Sequence, residues 1–158
     1  MEISYVHQPA MRLTGISVRT SNASEATPDG KIPELWNQFF AKGISQQVAG
    51  IRNPNLTYGL YTDYESDVNG MYTLLLGHEV SADEPQEGLQ SAVLPASRYV
   101  VFRTEQGAMP QVVIEAWQKI WAWMEHTSDI RTYTGDFEVY DAKYSPTDAI
   151  VEIYIAIA

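Results

Sequence analysis

The chain has 158 residues, 45% hydrophobic and 19% charged, which suits one globular domain with a sizeable core. Twenty acidic against ten basic side chains give a formal charge of −10 without a basic cluster, which argues against direct nucleic-acid binding, since phosphates are neutralised by Lys and Arg. With no cysteine, no apolar run near the ~20 residues that span a bilayer and no basic, apolar leader, the sequence argues against a disulfide frame, a thiolate metal site and a membrane role, and points to a cytoplasmic location.

Residues 3–20 are rich in β-branched side chains in loose alternation, which predicts a strand pair or one long bent strand. A polar loop follows over 21–30. KIPELWNQFFAKG then sets Ile32, Leu35, Trp36, Phe39 and Phe40 at helical spacing, with Pro33 in the first turn and Gly43 as a stop. Strands are expected at about 57–63 and 70–80, joined by a loop ending in Asn69-Gly70. The charged stretch 81–91, SADEPQEGLQS, reads as a connector between halves.

In the second half a strand at 97–104 leads to a helix starting near Pro110. Its apolar stripe is Val113, Trp117, Ile120, Trp121 and Met124, and strands follow at about 135–141 and 149–157. The chain therefore reads as α+β, a single domain over 1–158 built from a duplicated β-α-β-β unit: one copy over about 1–80, the other over about 92–158. Pro9-Ala10-Met11-Arg12 against Pro95-Ala96-Ser97-Arg98, and Pro33 against Pro110, support the repeat. Two such units would form an antiparallel sheet with two helices on one side and a ligand cleft at their junction.

YGLYTDYE, at 58–65, and FEVYDAKY, at 137–144, are similar in build, yet only the second sets a carboxylate, Glu138, among its aromatic residues. Strand alternation sends Asp136, Glu138 and Tyr140 one way and Phe137 and Val139 the other. In the last strand Glu152 and Tyr154 oppose the apolar face of Val151, Ile153, Ile155 and Ile157. If the two strands are neighbours, Glu138, Tyr140, Glu152 and Tyr154 are expected to converge. A carboxylate among ring faces suits a lipophilic cation; a solvated sheet face is the plain alternative. Trp36, Trp117 and Trp121 read as core or pocket wall, Trp123 as an edge residue, and Tyr58, Tyr61 and Tyr72 as pocket candidates from the first copy.

His7, His78 and His126 lack metal-ligand spacing, and GxSxG, GxGxxG and the phosphate-binding glycine loop are absent from the sequence. No catalytic residue, metal or cofactor is expected.

Several blocks together resemble the GyrI-like, or AraC-type, effector-binding domains: YGLYTDYES…NGMYTLLLGHEV, LPASRYVVFR, GDFEVYD and VEIYIAI. The chain looks especially like the stand-alone cationic-drug-binding members carried on integron cassettes, with no DNA-reading segment in front. The resemblance implies a pocket for lipophilic, often cationic, aromatic compounds, with Glu138 at its base, Glu152 and Tyr154 in the closing E-x-Y, and tyrosines and tryptophans around it. Where the family's closing strand usually has proline, this chain has Ala156. Two other readings stay open: a gyrase-inhibitor-like protein-interaction module or homodimer, motivated by the acidic charge, and a hydrolase using Glu138 as base.

Overall fold

In a computed structural model, describing residues 1–81 and 83–158, the chain forms one eight-stranded antiparallel sheet with helices on one face. In chain order the elements are β1 (Glu2–Gln8), β2 (Met11–Ser21), α1 (Asn22–Glu25), α2 (Ile32–Ala41), α3 (Ile44–Gln47), β3 (Leu56–Thr62), β4 (Met71–Val80), β5 (Gln90–Leu94), β6 (Ser97–Arg103), α4 (Gln111–Met124), β7 (Asp136–Asp141) and β8 (Glu152–Ile157). The expected long elements are present within a few residues of their predicted bounds. The single turn of α1, the short α3 and strand β5 were not foreseen. β5 begins inside the expected connector; position 82 of that connector lies outside the described residues.

The strand order is β1-β6-β8-β7-β3-β4-β2-β5, which reverses onto itself when first-half strands are exchanged for their second-half counterparts. The two central strands, β3 and β7, form the seam. Each outermost strand has crossed over: β1 pairs with β6 of the second half, and β5 with β2 of the first.

That exchange shapes the sheet. β1 and β2 are joined only through Pro9 and Ala10, yet they occupy the first and seventh places in the order. Six inter-strand spacings in a flat sheet would amount to about 29 Å, whereas the short connection reaches only about 10 Å. The sheet must therefore curl until its flanks approach. Pro95 and Ala96, between β5 and β6, make the matching crossing from the other side. The repeated Pro-Ala pairs are thus the two crossovers, where a missing N–H and a fixed φ do no harm to a ladder.

Alternation places the apolar residues. On the helix face, Tyr72, Leu74, Leu76 and Val80 of β4 meet Leu35 and Phe39 of α2, while Val100, Phe102, Ile153 and Ile155 meet Val113, Ala116 and Ile120 of α4. The other face has its own core, in which Leu13, Leu60, Tyr99 and Phe137 draw on both flanks. Each helix presents one stripe to the sheet, so its other faces differ. Phe40 is 70% exposed rather than completing the stripe of α2 to which it was assigned, and Trp121, read as core or pocket wall, borders a cleft. Trp123, expected at an edge, packs edge-on against Phe102 at 5.2 Å.

No described helix is long and apolar enough to cross a membrane, and no metal-ligating group of three or more side chains occurs among the described residues.

Candidate functional site

Strand β7 carries two buried carboxylates on its helix-facing side, Asp136 (0% exposed) and Glu138 (3%). Their surroundings differ in one respect that decides their roles. Asp136 is paired with a buried cation: Arg131 Nη2 lies 2.6 Å from its Oδ2. The hydroxyl of Tyr64 donates to the same oxygen at 2.6 Å, and the backbone N–H of Ala156 donates to Oδ1 at 2.8 Å. Arg131 stands over the rings of Tyr133, at 4.4 Å, and Tyr64, at 5.5 Å. This is a closed structural ion pair.

Glu138 has donors but no cation among the described residues. Tyr140 donates its hydroxyl to Oε1 at 2.6 Å; Tyr61 and the indole N–H of Trp117 donate to Oε2 at 2.9 and 2.6 Å. Burial pushes the Glu138 carboxyl above its ordinary value, and the three donors pull the other way. Burial, reinforced by the charge of Glu138, holds the Tyr61 and Tyr140 hydroxyls well above their usual range, so both remain protonated donors.

The rings around this carboxylate form two matching pairs. Trp117 meets Tyr61 edge-on at 5.3 Å, and Trp36 meets Tyr140 edge-on at 5.0 Å. Tyr72 adds a further edge contact to Tyr61 at 5.4 Å, and Trp121 lies 6.1 Å from Trp117. Directly opposite Glu138 on the neighbouring strand is Gly59. A Cβ there would stand 3.0 Å from Glu138 Oε1, so glycine leaves the carboxylate its space.

Against Tyr61 and Trp117, between the start of α2 and the outer side of α4, opens a cavity of about 310 Å³ lined by Tyr61, Tyr72, Trp117, Trp121, Ile32, Ile114 and others; Glu138 itself does not line it. Tyr61 and Trp117 therefore face the cavity and also donate to the carboxylate behind them. Arg131, Glu25 and Asp67 are the charged residues of its lining. Glu25 is held there because it caps α2 from outside: its carboxylate accepts from the backbone N–H of Lys31 at 2.8 Å and of Ile32 at 3.0 Å.

The expected convergence of Glu138 and Tyr140 with Glu152 and Tyr154 is not what the sheet makes. β7 and β8 are neighbours, but Glu138 is paired with Ile153, while Val139 is paired with Glu152 and Phe137 with Tyr154. The register puts the two Glu-Tyr pairs on opposite faces. Glu152 and Tyr154, with Tyr58, line a separate pocket of about 300 Å³ on the face away from the helices. There Tyr154 stacks on Phe137 at 4.4 Å, and Arg103 approaches Glu152 at 3.8 Å. Burial, with the nearby Glu79 charge, raises the Tyr58 hydroxyl to about 12.

Of the ten residues singled out in the sequence, Tyr61, Tyr72, Trp117 and Trp121 line this cavity. Glu138 lies behind Tyr61 and Trp117, with Tyr140 and Trp36 on its far side, and Tyr58, Glu152 and Tyr154 lie on the opposite face of the sheet. Sequence reasoning missed Gly59, Glu25 and the Arg131–Asp136 pair. A glycine inside an aromatic-rich strand is itself a signal of close approach. Nothing local marks Arg131 as the partner of Asp136.

The chain matches the model of the integron-associated effector-binding proteins over residues 5–157, and it belongs to that family. The candidate transcriptional regulator YobU of Bacillus subtilis (strain 168) is 38% identical over 153 residues, covering 96% of this chain and 94% of YobU. An integron cassette protein from the mobile metagenome of Vibrio cholerae is 30% identical, with a TM-score of 0.81 over 99% of this chain and 95% of that one. SAV2435, solved bound to tetraphenylphosphonium, shares the fold at 18% identity, with a TM-score of 0.82 over 100% of this chain and 94% of its own.

Proposed function

We propose that the cleft between α2 and α4 binds small lipophilic aromatic cations, with Glu138 as the uncompensated negative charge at its base. The observation that carries this reading is the contrast on β7. Of two buried carboxylates two residues apart, one has a protein cation against it and the other has only hydrogen-bond donors. An ionised carboxylate buried without a counter-charge is costly, and a bound cation offsets that cost. At an effective dielectric constant of about 20, unit charges ~6 Å apart attract by about 3 kcal/mol.

The ring faces supply the rest. Tyr61, Tyr72, Trp117 and Trp121 offer π surfaces to a delocalised cation, each worth ~0.5–2 kcal/mol depending on desolvation. Trp36 and Tyr140 buttress the carboxylate from the other side. Arg131 at the cavity edge would repel a cation on its own, but its charge is matched by Asp136. Membership of an effector-binding family supports a binding role, and SAV2435 offers a precedent for a lipophilic cation on this fold. The cysteine-free composition fits a reducing cytoplasm, where we place the protein.

The test is calorimetric titration with tetraphenylphosphonium and with neutral triphenylphosphine oxide. Glu138→Gln is expected to weaken the cation about tenfold or more, as loss of one charge pair at this depth implies, and to leave the neutral compound nearly unchanged. Equal losses for both compounds, or no binding of the cation by the unaltered protein, would overturn the proposal.

A further inference from the structure

The registers say which residues of the two halves correspond. Pro9-Ala10-Met11-Arg12 matches Pro95-Ala96-Ser97-Arg98, so counting along β2 and β6 in step sets Gly15 on Val101. Gly15 pairs with Gly77, and Val101 with Tyr154; Gly77 thus corresponds to Tyr154, and Leu76 to Ile153. Leu76 pairs with Gly59, and Ile153 with Glu138. Gly59 and Glu138 are therefore the same position in the two halves, and they are also paired with each other across the β3–β7 seam. The approximate two-fold axis of the sheet runs through that pair.

Two residues further along each strand, Tyr61 corresponds to Tyr140, and each donates its hydroxyl to the carboxylate from its own side. A position on a symmetry axis meets its own counterpart. Two glutamates there would bring their carboxyl groups into contact, and neighbouring carboxylates in one buried site cannot both ionise. The space is also taken, since even a methyl group at position 59 would press on Glu138 Oε1 at 3.0 Å.

Resting on the reading of the cleft as a cation site, we infer that Gly59 is the residue that limits the axis position behind the cleft to one carboxylate, and that either half of the sheet is able to supply it. Glu138 is then not tied to the second half by its surroundings. The same cradle of Tyr61, Tyr140 and the helix tryptophans faces the axis from both directions, and the asymmetry lies in which strand carries the acid and which gives way. For ligand choice, the consequence is a single buried carboxylate without a counter-cation on the axis, with Glu25 and Asp67 the acids that line the cavity itself.

The test is an exchange across the axis, read as affinity for tetraphenylphosphonium and triphenylphosphine oxide in the full chain, with circular dichroism as the check on folding. Glu138→Gly alone is expected to lose about tenfold or more in cation affinity. Gly59→Glu combined with Glu138→Gly should return to within about threefold of the unaltered protein, whereas Gly59→Gln with Glu138→Gly should not. A folded exchange variant as weak as Glu138→Gly overturns the inference while leaving the cation reading intact; failure of the unaltered protein to bind the cation would instead remove that reading. If the exchange variant does not fold, Gly59→Ala decides. Its added methyl group should weaken the cation severalfold and spare the neutral compound, and cation affinity equal to that of the unaltered protein would exclude Gly59 as the limiting residue.

Discussion

At the scale of single residues, Glu138 stands in a tension between folding and binding. Its carboxyl is raised by burial, so between the pKa of the unfolded chain and that of the folded one the native state holds a proton that the unfolded state has released. Stability falls with rising pH wherever the native state binds more protons. Ionising Glu138 therefore costs the unliganded protein stability on passing upward through that window, and on the proposed cation reading affinity should rise across the same window because the charge appears. Urea midpoints followed over mildly acidic to neutral pH should show this loss in the unaltered protein and not in Glu138→Gln. Parallel pH profiles for the two proteins would show that the carboxyl is not linked to folding. Asp136, on the same face of β7, has the Arg131 guanidinium as its counter-charge.

At the scale of elements, the long segments were legible because their apolar residues repeat with the period of the backbone: Leu35 and Phe39 in α2, Val113, Ala116 and Ile120 in α4, alternation in β7 and β8. Glu138 was legible for the same reason, as a carboxylate on the inward-facing parity of an aromatic strand. Pairing register was not. Whether Glu138 meets Ile153 or Glu152 depends on where the loop before β8 ends, and a shift of one residue changes the face. β5 was hidden because its sequence, QSAVL, is short and adjoins a polar connector. The cap of α2 was hidden too, since Lys31 at the N-cap position makes no side-chain capping bond and Glu25, outside the helix, takes over. Removing that carboxylate by Glu25→Ala leaves two N–H groups at the helix start without their acceptor and frees Thr20, whose hydroxyl donates to it at 2.5 Å. The expected loss is about 1–2 kcal/mol, measured by chemical denaturation. A change within about 0.5 kcal/mol, ordinary for a surface site, would show that Glu25 does not hold α2 in place.

At the scale of the whole molecule, the crossed outer strands bind the halves together. β1 cannot leave β6, nor β5 leave β2, without undoing a sheet edge that belongs to the other half. Unfolding should therefore be one cooperative event, with far-ultraviolet circular dichroism and tryptophan fluorescence tracing the same denaturation curve. Trp36 reports on α2 and Trp117, Trp121 and Trp123 on α4, so separate transitions for the two probes would mean that the halves melt independently.

The edge-on pairing of one indole with one phenol on each side of the seam has its own consequence for a guest. The two pairs are related by rotation, yet only the Tyr61–Trp117 pair borders the cavity, while Trp36 and Tyr140 close off the far side of the carboxylate. On the proposed reading, a cation would therefore approach Glu138 from a single flank, with one indole and one phenol standing between the guest and the charge that attracts it.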